Sequence, residues 1–466
     1  MLFSSITFLY YFLPLVLIFY FIVPKPAKNI VLLIFSLFFY AWGEPKCVFL
    51  MLLTIALNYA CGILIEKSTK KSSKRAYLTV SVIGTLAGLI YFKYAGFFVE
   101  NFAYITGMSA PVLNIALPIG ISFYTFQILS YTVDVYRGEV PAQKNPITLA
   151  TYIALFPQLI AGPIVRYKDV AQQLASRTHS FDKAALGIRR FIIGLGKKVL
   201  LANTLGELCE AFYASTDLSV AYFWLFAISF MLQIYFDFSG YSDMAIGLGK
   251  IFGFDFLENF RYPFISKSLS EFWRRWHISL GSWFRDYVYF PLGGSRVGKL
   301  RLLFNLFVVW FLTGFWHGAE WNFILWGLFF FLFLTLEKFF LQDALKKSKI
   351  IAHIYTLFFI TISFAIFSGN NAQEAITRVG GLFGAGGIPV MSAEVMYQLK
   401  NFGVILIVSL VGATPLPLKI AEFLKTKKST ATLVDVLEIP ILLAILIAVT
   451  AFLINGSFNP FLYFRF

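Results

Sequence analysis

The sequence predicts an all-α polytopic membrane protein, and three observations carry that prediction. Of 466 residues, 59% are apolar and 14% charged, against about 25% charged in a soluble domain, and mean hydropathy is +0.75. Uncharged stretches close to the length of a bilayer crossing recur along the whole chain. The aromatic share is 19%, with 55 Phe, which suggests wide packed faces and interfacial belts rather than isolated spans. Together these exclude a disordered chain and an ordinary cytosolic enzyme.

The first uncharged run, 5–23, has no basic segment before it and no small-residue cleavage site before Pro24. It reads as a retained span rather than a signal peptide. Further runs follow at 29–43, 48–65, 77–92, 115–133, 146–165, 218–236, 302–316, 321–336, 351–368, 401–418 and 440–453. A perpendicular crossing takes roughly 20 residues and these runs have about 14 to 20, so some are tilted, shielded or re-entrant. About 11 or 12 crossings are expected, with interfacial helices beside them. Residues 1–454 read as one transmembrane domain and 455–466 as a tail.

Lys and Arg outnumber Asp and Glu by 39 to 24, a net charge of +15. The basic residues sit between apolar runs rather than in one domain. The surplus therefore reads as the positive-inside bias and attraction to anionic lipid, not as nucleic-acid binding. Lys25 and Lys28 are two runs away from Lys67, Lys70, Lys71, Lys74 and Arg75; Lys346, Lys347 and Lys349 are two runs away from Lys419, Lys425, Lys427 and Lys428. All four clusters can then face the cytoplasm, which places the protein in the inner (cytoplasmic) membrane with both termini and the stretch 369–400 outside. Cys47, Cys61 and Cys209 are scattered and odd in number, so neither a disulfide framework nor a zinc site is expected. Ile-Gly-Leu-Gly-Lys occurs twice, ending at Lys197 and Lys250, without the rest of a phosphate-binding loop. Small residues permitting close helix packing explain it.

Between Asp237 and Arg301 the pattern changes. Asp237, Asp243, Arg261, Glu271, Arg274, Arg275, His277, Arg285, Asp286 and Arg296 interleave with Trp273, Trp276 and Trp283. A lipid-facing span cannot hold them, since each central charge costs at least about 2.5–3.5 kcal/mol. Interfacial and re-entrant segments around a protein-enclosed cavity can, with breaks at Pro263, Gly281, Pro291, Gly293 and Gly294. An amphipathic cytoplasmic lid anchored to lipid is the plainer alternative.

His317 is the sharper feature. The uncharged run that leads to it from Arg301 rises about 22 Å, short of the ~30 Å hydrocarbon core. The chain then turns at Gly318 and returns through 321–336. His317 thus falls deep in the membrane beside Trp316, Glu320 and Asn322, where an ionisable group is a functional candidate. A neutral histidine hydrogen-bonded inside a bundle is the alternative; His179 and His353 lack such company. No His-x-x-x-His, no Cys/His cluster and no Gly-x-Ser-x-Gly elbow occurs, so no metal site or serine hydrolase is expected. What remains is a histidine taking the proton as a hydroxyl attacks a thioester, then returning it to the leaving thiolate.

Four stretches carry a resemblance. They are Phe156-Pro-Gln-Leu-Ile-Ala-Gly-Pro163 with Arg166; Gln233-Ile-Tyr-Phe-Asp237-Phe-Ser-Gly-Tyr-Ser-Asp243; Phe272-Trp-Arg274-Arg275-Trp-His277 continuing to Arg285-Asp-Tyr287; and Thr313-Gly-Phe-Trp316-His317-Gly318. The chain resembles the membrane-bound O-acyltransferase superfamily over essentially its whole length. It is most similar to the bacterial branch that O-acetylates alginate, peptidoglycan and exopolysaccharides. The resemblance implies that superfamily's fold around a central passage, with His317 as base and His277 as a second polar residue. Candidates for the passage are Gln233, Asp237, Asp243, Trp316 and Asn322. Arg166, Lys267, Arg274 and Arg275 are candidates for holding the phosphates of the donor.

The tail Phe461-Leu-Tyr463-Phe-Arg-Phe466 resembles the Phe-x-Tyr-x-x-Phe end of a small protein that accompanies the teichoic acid D-alanylation member. That similarity implies Tyr463 as an acyl carrier activated by His317; an aromatic interfacial anchor is the plainer reading. The expected activity is transfer of acetyl from acetyl-CoA or another cytoplasmic thioester, with no tightly bound cofactor, toward a polysaccharide acceptor. An extracytoplasmic acyltransferase with its own Ser nucleophile is the expected partner, alongside membrane lipid and without nucleic acid. D-alanyl transfer, and a proton-coupled transporter relaying through His317, Asp237 and Asp243, are the alternatives.

Overall fold

The structure is a computed structural model that describes residues 1–456 except 110, 112, 114 and 427, and omits the side chains of 428 and 429. Tyr463 and its tail lie outside the described residues. Every regular element among the described residues is helical. Contacts divide the chain into two units, 1–191 with 242–257 and 192–241 with 258–466.

In the first unit, α1 (Leu13–Ile22) continues from a π-helical turn at Thr7–Phe12, followed by α2 (Lys28–Ala41) and α3 (Cys47–Lys67). Next come α4 (Lys71–Leu89) and α5 (Ala95–Thr106), joined without a break through the π-helical Ile90–Tyr94. Asn58 of α3 staples this region: it donates to Thr85 Oγ1 of α4 (2.8 Å) and accepts from Ser81 Oγ of α4 (2.6 Å). It also accepts from Thr132 Oγ1 (2.8 Å) of α6 (Ile121–Arg137), the polar glue that apolar bundles use where hydrophobicity cannot discriminate.

The run 146–165 is not one crossing, contrary to expectation. It divides into α7 (Pro146–Ala154) and α8 (Phe156–Leu159), with an irregular, buried segment beyond. Leu155 leaves helical geometry (φ −53°, ψ 109°) and Pro157 begins a new turn, since proline cannot continue the preceding one. Irregular backbone is tolerated at membrane depth when buried in protein, and this one is. The unit is completed by α9 (Tyr167–Ala175) and most of α10 (Phe181–Gly196).

The second unit begins at the end of α10 and continues through a π-helical Lys197–Ala202 into α11 (Asn203–Ala214). The 32-residue α12 (Val220–Ile251) gives its last turns to the first unit. Residues 237–251 are therefore the second half of a long helix rather than an interfacial segment. Their charges are neutralised instead of exposed: Lys198 Nζ lies 2.7 Å from Asp237, both 3% exposed, and donates to Asn203 Oδ1 at 2.8 Å. The repeated Gly-Leu-Gly-Lys glycines sit at close crossings. A Cβ on Gly240 would meet Gly194 O at 2.7 Å, and in the first unit one on Gly247 would meet Phe191 N at 2.8 Å.

The irregular stretch after α12 ends in two short helices, α13 (Leu269–Arg275) and α14 (Ile278–Phe284). Gly281 lies inside α14 rather than at a break, while Gly293 and Gly294 turn the chain with positive φ. A hairpin follows, α15 (Lys299–His317) and α16 (Trp321–Leu336), then α17 (Gln342–Lys347), α18 (Lys349–Phe367), α19 (Ala372–Leu382), α20 (Ala393–Gly412), α21 (Leu416–Leu424) and α22 (Lys428–Ile454). The run placed at 401–418 is shifted: the span is α20, and Pro415 starts a separate helix.

Eight helices among the described residues are long and apolar enough to cross a membrane, with Thr7–Ile22 as a shorter apolar one. The shortfall from 11 or 12 has local causes. α2 and α6 have 14 and 17 residues, and 146–165 is broken.

Candidate active site

The site is built by the α15–α16 hairpin. A Cβ on Gly314 of α15 would come within 3.1 Å of Gly327 Cα on α16, so the two helices cross backbone against backbone. α15 ends at His317, where Gly318 is extended (φ −167°, ψ 158°), and the return helix starts four residues after the histidine.

The imidazole of His317 is enclosed by rings. Trp316 (centroid separation 5.0 Å), Trp326 of α16 (5.0 Å) and Phe367 at the end of α18 (5.3 Å) all meet it edge-on. Asn322, fully buried, donates to Phe367 O (3.4 Å) and Gly369 O (2.6 Å), tying the start of α16 to the end of α18. Asn322 therefore holds Phe367 against the histidine.

His277 joins α13 to α14. It and Tyr262 are the two non-glycine residues with positive φ among the described residues, at 45° and 47°. That backbone state costs about 1–3 kcal/mol and persists only where the surroundings impose it. They do so through Asn259: its carbonyl O accepts from Ile278 N (3.0 Å), and its Oδ1 accepts from Ser279 N (3.2 Å) and Ser279 Oγ (2.9 Å). The same Oδ1 lies 3.3 Å from His277 Nδ1. An Nδ1–H donated to it leaves Nε2 with its lone pair, and Nε2 is buried without a hydrogen-bond partner among the described residues. Burial pushes this imidazole well below the ordinary histidine range, so it is neutral.

Trp316 brings the two histidines together. Its indole lies 6.0 Å from the His277 ring and 5.0 Å from the His317 ring, while Phe238 of α12 covers His277 edge-on at 4.7 Å. Two cavities adjoin this group, and another continues from one of them. One of about 340 Å³ is lined by Ile278, Leu280, Trp310 and Thr313; it touches the residue after His277 and the residue one turn before His317. A second, of about 570 Å³, shares Arg274, Leu306 and Trp310 with it. The third, about 380 Å³, has Phe367 in its wall together with Glu210, Glu320, Glu374 and Arg378.

The other residues singled out in the sequence divide. Arg274 lines the first two cavities. Arg275 pairs instead with Glu271 at 2.9 Å. Gln233 is buried on α12. Asp237 is held by Lys198, as described. In the first unit, Arg166 pairs with Asp169 at 2.9 Å and caps α9, and Asp243 pairs with Arg190 at 2.8 Å. Asp237 and Asp243 thus each have their own cation and form no shared acidic pair. Tyr463 is outside the described residues.

Sequence reasoning missed Asn259, Trp326, Phe367, Lys198 and Glu337. Lys198 carried a signal, since a lysine in an apolar run needs a carboxylate. Glu337, 4% exposed, accepts from the backbone N–H of Leu269 (2.7 Å) and Ser270 (3.0 Å), holding down the start of α13.

Residues 34–369 match the membrane-bound O-acyltransferase family, and the chain belongs to that family. It is a multi-pass membrane acyltransferase. Among its relatives is a probable alginate O-acetylase of Azotobacter vinelandii, 38% identical with both chains covered in full. The probable alginate O-acetylase of Pseudomonas aeruginosa is 42% identical over 83% of this chain and 75% of its own. A peptidoglycan O-acetyltransferase of Helicobacter pylori is 34% identical over 83% of this chain and 81% of its own.

Proposed function

We propose that this protein moves an acetyl group from a cytoplasmic acyl thioester, such as acetyl-CoA, toward O-acetylation of a cell-envelope or secreted polysaccharide, with His317 as the base. The observation that carries the reading is the pair of buried imidazoles flanking Trp316 beside an apolar cavity. An acceptor hydroxyl attacks the thioester carbonyl carbon while His317 takes its proton. Collapse of the tetrahedral adduct breaks the C–S bond, and the imidazolium returns the proton to the departing thiolate. An ester and a free thiol result, and the histidine is restored. His277, neutral and fixed by Asn259, orients the reactants.

The indole N–H groups of Trp326 and Trp273 support the same reading. Both are buried without a hydrogen-bond partner among the described residues, and their rings lie 5.6 Å apart with Trp326 against His317. A buried N–H left without an acceptor in the resting protein is suited to the oxyanion that forms only during transfer.

Tyr463 is the proposed first acceptor. Its phenol, ordinarily of pKa about 10, needs a base to react at neutral pH. The tyrosyl ester then passes the acetyl group to the Ser nucleophile of an extracytoplasmic partner. The charge pattern, read by the positive-inside rule with both termini outside the cytoplasmic membrane, supports that direction. Relatives that cover most of this chain are named for O-acetylation, which favours acetyl over D-alanyl transfer.

The test is His317→Ala in cells, scored by polymer-bound O-acetyl at matched membrane levels of the protein. Wild-type acetylation would sink the mechanism. Tyr463→Phe separates carrier from anchor, since unchanged acetylation eliminates the carrier role.

A further inference from the structure

Glu337 follows the last residue of α16 and is 4% exposed. Its Oε2 accepts from Leu269 N at 2.7 Å and its Oε1 from Ser270 N at 3.0 Å. Trp326 and Phe330 stand eleven and seven residues before it, which puts all three on one face of a helix with 3.6 residues per turn. That face meets α13 twice. Trp273 packs on Trp326 and Phe330 with ring centroids 5.6 and 4.9 Å away, while Glu337 takes the two N–H groups where the helix starts. The chain just before α13 is also tied to α18, where His353 Nδ1 donates to Ser266 O at 3.0 Å.

A carboxylate is a costly way to join two buried segments that Leu or Phe could join by packing, because burial strips its water and hydrogen bonds must replace it. What it adds is direction. One hydrogen bond to each oxygen fixes the angle of the chain as well as its place. The segment so aimed is short: α13 has seven residues and rises about 10 Å before Trp276 and His277. A tilt at Leu269 therefore reaches Trp273 and His277 with little slack. We propose that Glu337 is a positioning residue for acyl transfer. It touches no reacting atom and lies one helix length, about 24 Å, from the turn that carries His317. Through α13 it sets the Trp273 indole against Trp326 and the His277 ring against Trp316, the two indoles that flank His317. That role rests on the acyl-transfer reading and adds a residue to it.

The experiment uses the full-length protein, reconstituted with its extracytoplasmic partner and acceptor, and reads kcat, KM for acetyl-CoA and unfolding temperature together. Glu337→Asp keeps both oxygens but withdraws them by one methylene. Its kcat falls about ten- to a hundredfold, with KM within about twofold and the unfolding temperature near that of the wild type. Glu337→Gln offers one acceptor and turns an amide N–H toward the other backbone N–H, so it lowers kcat at least as far and lowers the unfolding temperature as well. Trp273→Phe probes the route. Combined with Glu337→Asp it costs little beyond the larger single effect, because both act through α13 and coupled sites are not additive. Wild-type kcat in folded Glu337→Asp overturns the proposal whatever happens to stability, and so do independent, multiplicative effects in the double variant. His317→Ala, measured alongside, keeps the two readings apart. An inactive His317→Ala beside a fully active Glu337→Asp removes the role of Glu337 alone, whereas a fully active His317→Ala removes the acyl-transfer reading and this role with it.

Discussion

Two regions carry the family's polar signature and use it in opposite ways. In the first unit, Arg166 and Asp243 each meet an opposite charge within 3 Å, and the segment around Phe156–Leu159 is buried irregular backbone. In the second, rings pack edge-on against His277 and His317, and a cavity opens beside Ile278 and Thr313. An ion pair satisfies a charge and removes it from chemistry. An aromatic wall keeps water from an imidazole and holds its ring in place. The first region's polar residues hold the chain in place, while the second's two histidines sit within aromatic walls beside a cavity.

Substitutions break this contrast in a graded way. His317→Ala lowers acetyl transfer by at least about a hundredfold with the protein still folded, whereas Arg166→Gln lowers the amount of folded protein and leaves turnover per folded molecule alone. Membrane-level immunoblots beside acetyl assays separate the two outcomes. Trp326→Phe keeps the ring and removes the N–H; kcat falls about ten- to a hundredfold with KM little changed if that donor meets the oxyanion. A matching rise in KM would make Trp326 packing only.

Stability effects come next. Lys198→Met takes the Lys198 ammonium from the buried Asp237 carboxylate and costs about 3–5 kcal/mol, while Lys198→Met with Asp237→Leu costs much less. Thermal unfolding in detergent compares them. Gly327→Ala puts a methyl against Gly314 and the carbonyl of Trp310, costing about 1–3 kcal/mol and opening the hairpin that carries His317.

The smallest effect is on pH. His277 has a folded pKa below its unfolded value, so above the unfolded value both states are neutral and stability is fully present. As pH falls below about 6.5 the unfolded chain binds a proton that the folded one refuses, and stability declines. His277→Asn flattens that decline between pH 7 and 5, measured by the unfolding temperature.

Much of this is legible in the sequence. Hydropathy located α15, α16 and α18 closely, because each is a single uncharged helix with a polar residue at its end. The turn at Gly318 and the prominence of His317 followed from run length alone. Hydropathy failed at 146–165, where apolar content is unbroken but Leu155–Pro157 changes the backbone direction, a matter of local geometry rather than polarity. It failed again at 237–251, where charges suggested an interface while Lys198 and Arg190, distant in sequence, neutralise them inside a helix. The ring cage was illegible for a different reason. With 55 Phe in the chain, no pattern distinguishes Phe367 from its neighbours until α18 is packed against α16.

Thiol release from acetyl-CoA by the purified protein, reconstituted with its extracytoplasmic partner and acceptor, tests the central claim most directly when wild type and His317→Ala are compared. The account predicts that His317→Ala releases thiol no faster than protein-free controls while still binding coenzyme A. Thiol release by His317→Ala at the wild-type rate would contradict it.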